Sequence, residues 1–426
     1  MTRTEIKSIC MLSTHGYVDP EPQLGRTDTG GQVVYVLQLS KALSKRGIRV
    51  DIYTRWFDKS KESVEHVLGD GNLRIVRIPA GPMKFISKEE LYDILPELAD
   101  NMIEFIRKNE LNYDLFHAHY VDAGVVAVIV AKTLDKPVFF TSHSLGAWKR
   151  KLMKGNSEEM EKKYRFNQRI REEKKVFRAV NGQTATTKAQ IQVMKSLYDF
   201  QSENTVIISP GVDIEAFHPE EASGDSELPA NYIFCLSRID ENKGHEVLLN
   251  AFDLVRQKVP DTHLVIGGGS PEPKPREVKI LNKIQRIIEE CGMHDLVHVI
   301  GYVPDKKMHA FYKRAELFVL PSTFEPFGMT ALEAMACGTP TIVSQFTGIS
   351  EFLCDHRDCV ITDPTSQEEF STAIVELLEN RNLAERIGRA GLALVRDRFS
   401  WAAIADRHME FYRNFMNRPP EAKSEP

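Results

Sequence analysis

Two glutamates eight residues apart, Glu325 and Glu333, lie in a stretch whose other side chains are mostly apolar. The first is followed by Pro-Phe-Gly, which indicates a turn, whereas the second lies among the helix-forming residues of LEAMACG. A carboxylate inside an apolar helix is costly to bury without a polar partner, and ligand hydroxyl groups are suitable partners. The alternative, two carboxylates in free solvent, fits poorly beside Phe324, Phe327 and Met335. The spacing therefore predicts two carboxylates that bind a hydroxyl-rich ligand.

Backbone amides should join this pair. Gly328, Met329 and Thr330 lie at the start of the predicted helix, and the first N–H groups of a helix have no partner within it. These donors should therefore point into the same space as the Glu325 carboxylate.

Two cations five residues apart follow an apolar run. Arg238 and Lys243, in SRIDENKG, come after the run Tyr232–Leu236 and before a predicted helix. There, a forked guanidinium and a point-charge ammonium can converge on a diphosphate. Two solvated surface cations would look the same in a sequence, so this segment by itself leaves both interpretations open.

A pair of glycines opens a helix near the N-terminus. The segment DTGGQ, residues 28–32, precedes apolar residues at helical spacing over Gln32–Lys45, so the backbone at Gly31 could approach an anion closely. For a lone Gly-Gly, a tight turn is the simpler interpretation. The segment lacks the GxGxxG pattern of dinucleotide sites, so a nicotinamide cofactor is not indicated.

Short apolar runs alternate with amphipathic segments along the chain. Continuous hydrophobicity is typical of strands buried on both faces, so the runs predict parallel sheets in a doubly wound α/β fold. Capping boxes at Ser87/Glu90 and Ser366/Glu369 predict two helix starts. The predicted strands are Ile6–Met11, Val50–Tyr53, Leu73–Ile78, Leu115–Phe116, Val138–Thr141, Tyr232–Leu236, His263–Ile266, Val297–Ile300, Leu317–Leu320 and Thr341–Val343.

The length of 426 residues is enough for two or three domains, and an acidic segment at Pro219–Pro229 indicates a linker near the middle. We predict a first domain at 1–212, a second at 213–418 whose last helix could return to the first, and a disordered tail at 419–426. Ligands of open parallel sheets bind beyond the carboxyl ends of the strands. Two such domains facing each other would place an active site in the cleft between them.

Composition argues against several classes of protein. A formal net charge of −5 gives no reason to expect nucleic-acid binding, because that affinity comes from clustered basic charge. The six cysteines are scattered without a CxxC pair, which fits a reducing compartment. No run approaches the roughly 20 apolar residues that span a bilayer, and the N-terminal run is too short for a signal peptide. We expect a cytoplasmic protein without a transmembrane segment, and the sequence leaves its oligomeric state open.

Five blocks in order resemble one family. They are DTGGQVVYVLQLSKAL, HAHYVDAG, SHSLGAWKRKLM, SRIDENKG and PSTFEPFGMTALEAMACGTP, the last of which contains E-x7-E. They resemble the retaining glycosyltransferases of family 4, which have the GT-B fold of two Rossmann-like domains, and especially the branch of the sucrose-phosphate and mannosylfructose-phosphate synthases. The resemblance covers nearly the whole chain. It implies transfer of a hexose, glucose or mannose, from a nucleotide diphosphate sugar to fructose 6-phosphate.

The same resemblance implies the donor site. Arg238 and Lys243 would hold the nucleotide diphosphate, and Glu333 would hold the ribose hydroxyls. Glu325 would bind hydroxyls of the hexose, with the backbone of residues 328–330 completing that pocket. His143, in HSLG, would be the active-site histidine near the transferred sugar.

The acceptor side would draw on the first domain. By the resemblance, Lys84 in GPMKF, Lys149 in GAWK and Arg169 in FNQRI fall where a sugar phosphate is bound. Gly31, in the GGQ loop, would close over both the donor and the acceptor, and Gln32 would lie against the acceptor. Cations from separate segments can compensate the two charges of a phosphate. A solvated helix face is the alternative, because residues 151–175 are rich in charge throughout.

The chain departs from the family pattern at residues 347–350, where TGIS stands in place of the frequent GGP before a glutamate. The pair His117 and His119 could indicate a metal site, but no third ligand with suitable spacing and no DxD motif accompany it. We therefore expect no metal and no other cofactor.

Other functions stay open at this point. A nucleotide-sugar epimerase can share the fold and needs no acceptor pocket, and a glycosyltransferase could use another acceptor. A non-catalytic protein could bind sugar nucleotides alone. The sequence does not distinguish UDP, GDP and ADP, or glucose and mannose.

Overall fold

The computed structural model describes residues 5–21, 28–67, 69–153, 156–220 and 228–417. The chain divides into two compact units: unit 1 contains Met1–Ser209 and Ile404–Pro426, and unit 2 contains Pro210–Ala403. Most of the predicted linker, at 221–227, and the predicted tail at 419–426 lie outside the described residues.

Unit 1 is built on an eight-stranded sheet with the order β3-β4-β2-β1-β5-β6-β7-β8. Its neighbouring strands are parallel except for the edge strand β3, which is antiparallel to β4. The strands are β1 Ser8–Leu12, β2 Arg49–Trp56, β3 Val64–His66, β4 Leu73–Pro79, β5 Leu115–His119, β6 Val138–Thr141, β7 Gly182–Ala185 and β8 Thr205–Ile207.

The helices of unit 1 cover this sheet. They are α1 Gly31–Ser44, α2 Leu95–Lys108, α3 Val121–Leu134, α4 Gly146–Leu152, α5 Ser157–Tyr164, α6 Phe166–Ala179 and α7 Lys188–Tyr198. The core between α2, α3 and the strands is apolar and includes Met102, Val126, Phe116 and Phe140, all fully or almost fully buried. Burial of such side chains stabilises the sheet by about 1.5–3 kcal/mol for each residue.

The helix start predicted at Ser87 is wrong. Ser87 Oγ donates to the Glu90 carboxylate at 2.9 Å, so the two side chains bond to each other instead of capping backbone N–H groups. A 3₁₀ turn at Leu91–Ile94 follows, and α2 begins only at Leu95.

Unit 2 contains a six-stranded parallel sheet with the order β11-β10-β9-β12-β13-β14. Its strands are β9 Tyr232–Ser237, β10 His263–Gly268, β11 Val297–Gly301, β12 Leu317–Leu320, β13 Thr341–Ser344 and β14 Val360–Thr362. Its helices are α8 His245–Lys258, α9 Pro275–Glu290, α10 Asp305–Arg314, α11 Met329–Ala336, α12 Gln367–Glu379 and α13 Arg381–Arg398. The cap predicted at Ser366 is confirmed, because its hydroxyl accepts from Glu369 N at 3.4 Å.

A last helix, α14 Trp401–Met416, belongs from Ile404 onward to unit 1. Its rings pack on Phe139 of β6, with centroid distances of 5.1 Å to Phe411 and 4.9 Å to Tyr412. No helix in the described ranges has the length and apolar character that crossing a membrane requires.

Candidate active site

The loops after β9 and β12 carry the predicted donor residues. These strands are neighbours in register, with Phe234 opposite Phe318, so both loops leave the same carboxyl edge of the sheet. Arg238 follows β9 directly, and Glu325 lies five residues after the end of β12. Parallel pairing thus brings together two segments that are some eighty residues apart in sequence.

Lys243 and Glu325 form an ion pair between their side chains. Lys243 ends a 3₁₀ turn, Glu241–Lys243, and is only 5% exposed. The loops are also joined by Asn242, whose Nδ2 donates to Phe324 O at 2.7 Å and whose carbonyl accepts from Thr323 N at 3.0 Å. A buried ammonium is costly without a counter-charge, and Glu325 supplies that charge here.

Arg238 differs from its neighbour because its side chain is exposed. Its guanidinium forms no ion pair or hydrogen bond with the described residues, and only its carbonyl is engaged, accepting from Ser237 Oγ at 3.0 Å. The five N–H donors are therefore available to an anion. The sequence left open whether Arg238 and Lys243 are equivalent surface cations, and the structure separates them into one free and one paired.

The backbone around Glu325 is held by the segment that departs from the family pattern. Glu325 N donates to Phe346 O at 3.2 Å, and Gly348 N donates to Glu325 O at 2.9 Å. Gly328 has φ of +113°, and a Cβ there would lie 2.9 Å from Leu320 Cδ2. Gly328 precedes α11 directly, and Met329 and Thr330 are its half-buried first residues.

Glu333 lies in the second turn of α11 and is half-buried. Tyr312 of α10 donates its hydroxyl to Glu333 Oε2 at 2.6 Å. Burial raises the pKa of the Glu333 carboxyl to about 7; the negative charge of Asp305 acts in the same direction, and the hydrogen bond from Tyr312 opposes it. Tyr312 was missed by sequence reasoning, because an aromatic residue in an amphipathic helix normally indicates core packing.

His143 lies in a group of buried rings in unit 1. Its Nε2 lies 2.9 Å from His119 Nδ1, and its ring meets that of Tyr35 edge to face at 4.9 Å. Its backbone has φ of +54°, a left-handed conformation that costs about 1–3 kcal/mol outside glycine. Burial, together with the positive potential of His15 and His408, lowers the pKa of His143 to about 3. His143 is therefore neutral in the physiological range.

His117 and His119 are engaged in this group rather than arranged as a metal site. His117 Nε2 lies 2.8 Å from Thr141 Oγ1, and its Nδ1 contacts the Tyr412 hydroxyl. The residues that the structure describes contain no group of three or more His, Cys, Asp or Glu side chains able to hold a metal ion.

Two of the three predicted acceptor cations lie close enough to interact. Lys149 of α4 lies over the Tyr164 ring at 4.9 Å, and burial and the charges of Arg169 and Lys88 lower its pKa to about 8. Arg169 of α6 is buried, pairs with Glu173 at 2.8 Å and donates to Ser144 O at 2.8 Å. Lys149 thus keeps a chargeable ammonium, whereas much of the Arg169 guanidinium is engaged by the protein.

Lys84 has different surroundings. It is exposed, and its carbonyl accepts from Nη1 of the buried Arg55 at 2.9 Å. Among the described residues it has no recorded contact with Lys149 or Arg169. The cation whose charge acts on Lys149, besides Arg169, is Lys88. Lys88 pairs with Asp28 in the loop before α1. Sequence reasoning missed Lys88, although it stands four residues after Lys84 in a polar segment.

Gly31 and Gln32 begin α1 beside this loop. A Cβ at Gly31 would meet no atom within 4 Å, so the backbone there is open. Gln32 Nε2 donates at 3.2 Å both to Ser13 Oγ and to His119 O, which anchors the helix start near the histidine group.

Two family models match successive parts of the chain. Residues 29–216 match Glycosyltransferase Family 4, and residues 219–393 match Glycosyl transferases group 1. Together with two parallel-sheet α/β units, these matches define a glycosyltransferase with the GT-B fold. The chain belongs to family 4 of the glycosyltransferases.

Similarity to individual proteins also extends over nearly the whole chain. It is 36% identical to mannosylfructose-phosphate synthase of Agrobacterium fabrum, over 94% of this chain and 89% of that protein. It is 30% identical to D-inositol 3-phosphate glycosyltransferase of Corynebacterium glutamicum, over 95% and 96%. The structure of sucrose-phosphate synthase from Thermosynechococcus elongatus superposes with a TM-score of 0.78 at 27% identity, over 96% and 99% of the two chains.

Proposed function

We propose that this glycosyltransferase moves a hexose from a nucleotide diphosphate sugar to fructose 6-phosphate, with retention at the anomeric carbon. The observation that carries the donor half is the buried Lys243–Glu325 pair beside the exposed Arg238. The acceptor half is supported by the similarity to mannosylfructose-phosphate and sucrose-phosphate synthases, whose names specify phosphorylated disaccharides.

In this proposal, the donor diphosphate binds Arg238 and shares Lys243 with Glu325. The two cations stabilise the charge that develops on the leaving diphosphate, which is commonly the largest electrostatic contribution to such a reaction. Glu325 and the N–H groups of Gly328, Met329 and Thr330 hold the hexose hydroxyls, and Glu333 holds the ribose. The departing phosphate oxygen takes the proton of the acceptor hydroxyl on the same face of the sugar.

His143 acts in this scheme as a neutral hydrogen-bonding group. With a pKa of about 3, it carries no proton to donate as an acid near pH 7. Its contact with His119 holds the ring in one orientation. This role differs from general acid or base catalysis, which requires a pKa near the working pH.

The acceptor phosphate would bind Lys149 in unit 1, with Arg169 and Lys84 as further contacts, and Gly31 and Gln32 would line the acceptor sugar. Lys149 is the strongest member of this set because its ammonium has an aromatic face below it and no carboxylate partner among the described residues. We also propose that no divalent cation takes part.

Direct assay tests the proposal. UDP-glucose, GDP-mannose and ADP-glucose are each incubated with fructose 6-phosphate, and the product is measured by mass and by the NMR coupling at the anomeric carbon. A disaccharide phosphate with the donor's anomeric configuration is expected. No such product from any donor would overturn the proposal, and an inverted product would overturn retention.

A second acceptor, inositol 3-phosphate, is favoured by the similarity to the inositol-phosphate glycosyltransferase at 30% identity. Both acceptors carry a phosphate, so Lys149 serves either. Competition between fructose 6-phosphate and inositol 3-phosphate at equal concentration distinguishes them by kcat/KM. Conversion of the nucleotide sugar with no acceptor present would indicate an epimerase instead.

A further inference from the structure

Tyr312 is the single described hydrogen-bond partner of the Glu333 side chain. Its hydroxyl donates to Oε2 at 2.6 Å, and the tyrosine is fully buried. Its ring packs against Phe217, Phe234 and Phe318 with centroid distances of 5.4–5.7 Å. Because aromatic rings enclose it, the hydroxyl has one position, and that position determines where the carboxylate lies.

The other oxygen of Glu333 is the available one. Oε1 accepts no hydrogen bond from the described residues, and Glu333 as a residue is half-buried. Asp305 at the start of α10 contributes negative potential at the carboxylate. A ligand at Oε1 must therefore donate hydrogen bonds and carry no negative charge at the point of contact, and a sugar hydroxyl meets both conditions.

We propose that Tyr312 is a positioning residue that holds Glu333 so that one carboxylate oxygen faces the ribose hydroxyls of the nucleotide. The inference rests on the proposed function, which supplies the nucleotide. An unrestrained glutamate would have to be ordered when the ligand binds, and that ordering costs affinity. The Tyr312 hydrogen bond orders the side chain in advance.

The test compares ribose with deoxyribose. UDP and GDP are titrated by calorimetry together with their 2′-deoxy and 3′-deoxy forms, against the parent, Tyr312→Phe and the control Tyr232→Phe. Tyr232 belongs to the same core cluster, and its hydroxyl donates to Phe311 O at 2.8 Å, away from Glu333. Each variant loses one tyrosine hydroxyl from the same core. The difference between them is that only the Tyr312 hydroxyl donates a hydrogen bond to Glu333.

The parent is expected to prefer a ribonucleotide over at least one deoxy form by about tenfold or more, since a hydrogen bond to a charged group has that effect. Tyr312→Phe should reduce the preference below about threefold, and Tyr232→Phe should preserve it. In a Glu333→Gln background, Tyr312→Phe should change the preference no further. A folded Tyr312→Phe protein with the parental preference overturns the inference.

The outcomes also separate the inference from the function on which it rests. If the parent binds no nucleotide and transfers no sugar, the proposed function fails. If transfer occurs but the parent does not distinguish ribose from deoxyribose, the inference alone fails. If Tyr312→Phe does not fold, Tyr312→Met replaces it in the same titrations, because the flexible methionine side chain can fill the space left by the tyrosine. If neither folds, the hydroxyl has a structural role and the positioning role is refuted.

Discussion

A buried ammonium needs a counter-charge, and at Lys243 that charge is the carboxylate proposed to hold the donor sugar. The same ion pair therefore contributes to the folding stability of unit 2 and to the proposed donor site. Glu325 neutralises Lys243, and in the proposed function it also accepts hydrogen bonds from sugar hydroxyls; substitutions can separate these two roles.

Replacing Glu325 by alanine should lower kcat by at least about a hundredfold, because it removes the proposed contacts with the donor sugar. It should also lower the stability of unit 2 by about 1–3 kcal/mol, since Lys243 loses its partner. Glu325→Gln keeps an acceptor oxygen and should recover part of that stability. Saturation kinetics and urea unfolding provide the two measurements. Near-normal turnover of Glu325→Ala would exclude this residue as a donor-sugar ligand.

Replacing Lys149 by alanine should raise the KM for fructose 6-phosphate about tenfold or more, because a charge-assisted hydrogen bond contributes roughly 1.5–3 kcal/mol. The KM for the nucleotide sugar should change little. Lys151→Ala, at an exposed position of the same helix α4, is the matched control. A raised donor KM with an unchanged acceptor KM would move Lys149 to the donor site.

The protonation of Lys149 predicts a pH effect. Burial lowers its pKa to about 8, so the ammonium is charged below pH 8 and neutral above it. The KM for fructose 6-phosphate should therefore rise as the pH increases from 7 to 9. In Lys149→Arg the guanidinium stays charged over this range, and the rise should disappear. A parental profile that is flat between pH 7 and 9 would contradict the role of this ammonium.

At the scale of elements, a turn after β9 controls where Lys243 lies. Gly244 follows the 3₁₀ turn with φ of +74°, and a Cβ there would lie 2.0 Å from Pro321 O. The glycine thus allows the β9 and β12 loops to approach closely enough for the ion pair. No other residue type combines this backbone conformation with such an approach.

Gly244→Ala should therefore destabilise unit 2 by several kcal/mol and weaken nucleotide binding. Gly292→Ala is the control: it has φ of +60° in the same unit, and its Cβ would meet nothing within 4 Å. The control should cost about 1–2 kcal/mol for the left-handed backbone alone and leave binding intact. Urea unfolding and calorimetry measure both effects. Equal losses in the two variants would show that the approach to Pro321 has no energetic importance.

At the scale of the whole molecule, the proposed function assigns cations of one unit to the anionic donor and cations of the other unit to the phosphorylated acceptor. Arg238 and Lys243 lie in unit 2, whereas Lys149 and Arg169 lie in unit 1. In unit 2, Lys243 is paired with a glutamate and Arg238, among the described residues, is not. In unit 1, Arg169 is paired with a glutamate and Lys149, within the same described ranges, is not. The engaged member of each pair is held in place by the protein before any ligand binds.

If Arg238 and Lys243 hold the donor diphosphate as proposed, transfer should proceed without a divalent ion. Activity measured with excess EDTA should stay within about twofold of the untreated enzyme, because the Arg238 guanidinium and the Lys243 ammonium provide the positive charge. Loss of activity on chelation, with recovery on adding Mg²⁺ or Mn²⁺, would show that the two side chains are insufficient.

The amino-acid sequence by itself determined most of the strands, the doubly wound α/β class and the type of chemistry. The predicted strands Val138–Thr141 and Leu317–Leu320 have the observed bounds, and Ser366 caps its helix, because hydrophobic runs and caps depend on adjacent residues. Four short strands were missed. β7 has the largely polar sequence GQTA, and β3, β8 and β14 have three residues each, too few to form a distinctive apolar run. The antiparallel direction of β3 could be decided only by the sheet.

Tertiary structure decided which side chains meet. Lys243 and Glu325 are separated by 82 positions in sequence, and Glu333 and Tyr312 by 21. At such separations the spacing of residues along the chain predicts no contact. Strand order and register bring such residues together, and packing then sets their desolvation. Burial of this kind makes His143 neutral and lowers the pKa of Lys149 to about 8. Neither effect can be predicted from the residue types alone, because it depends on the surroundings of the side chain.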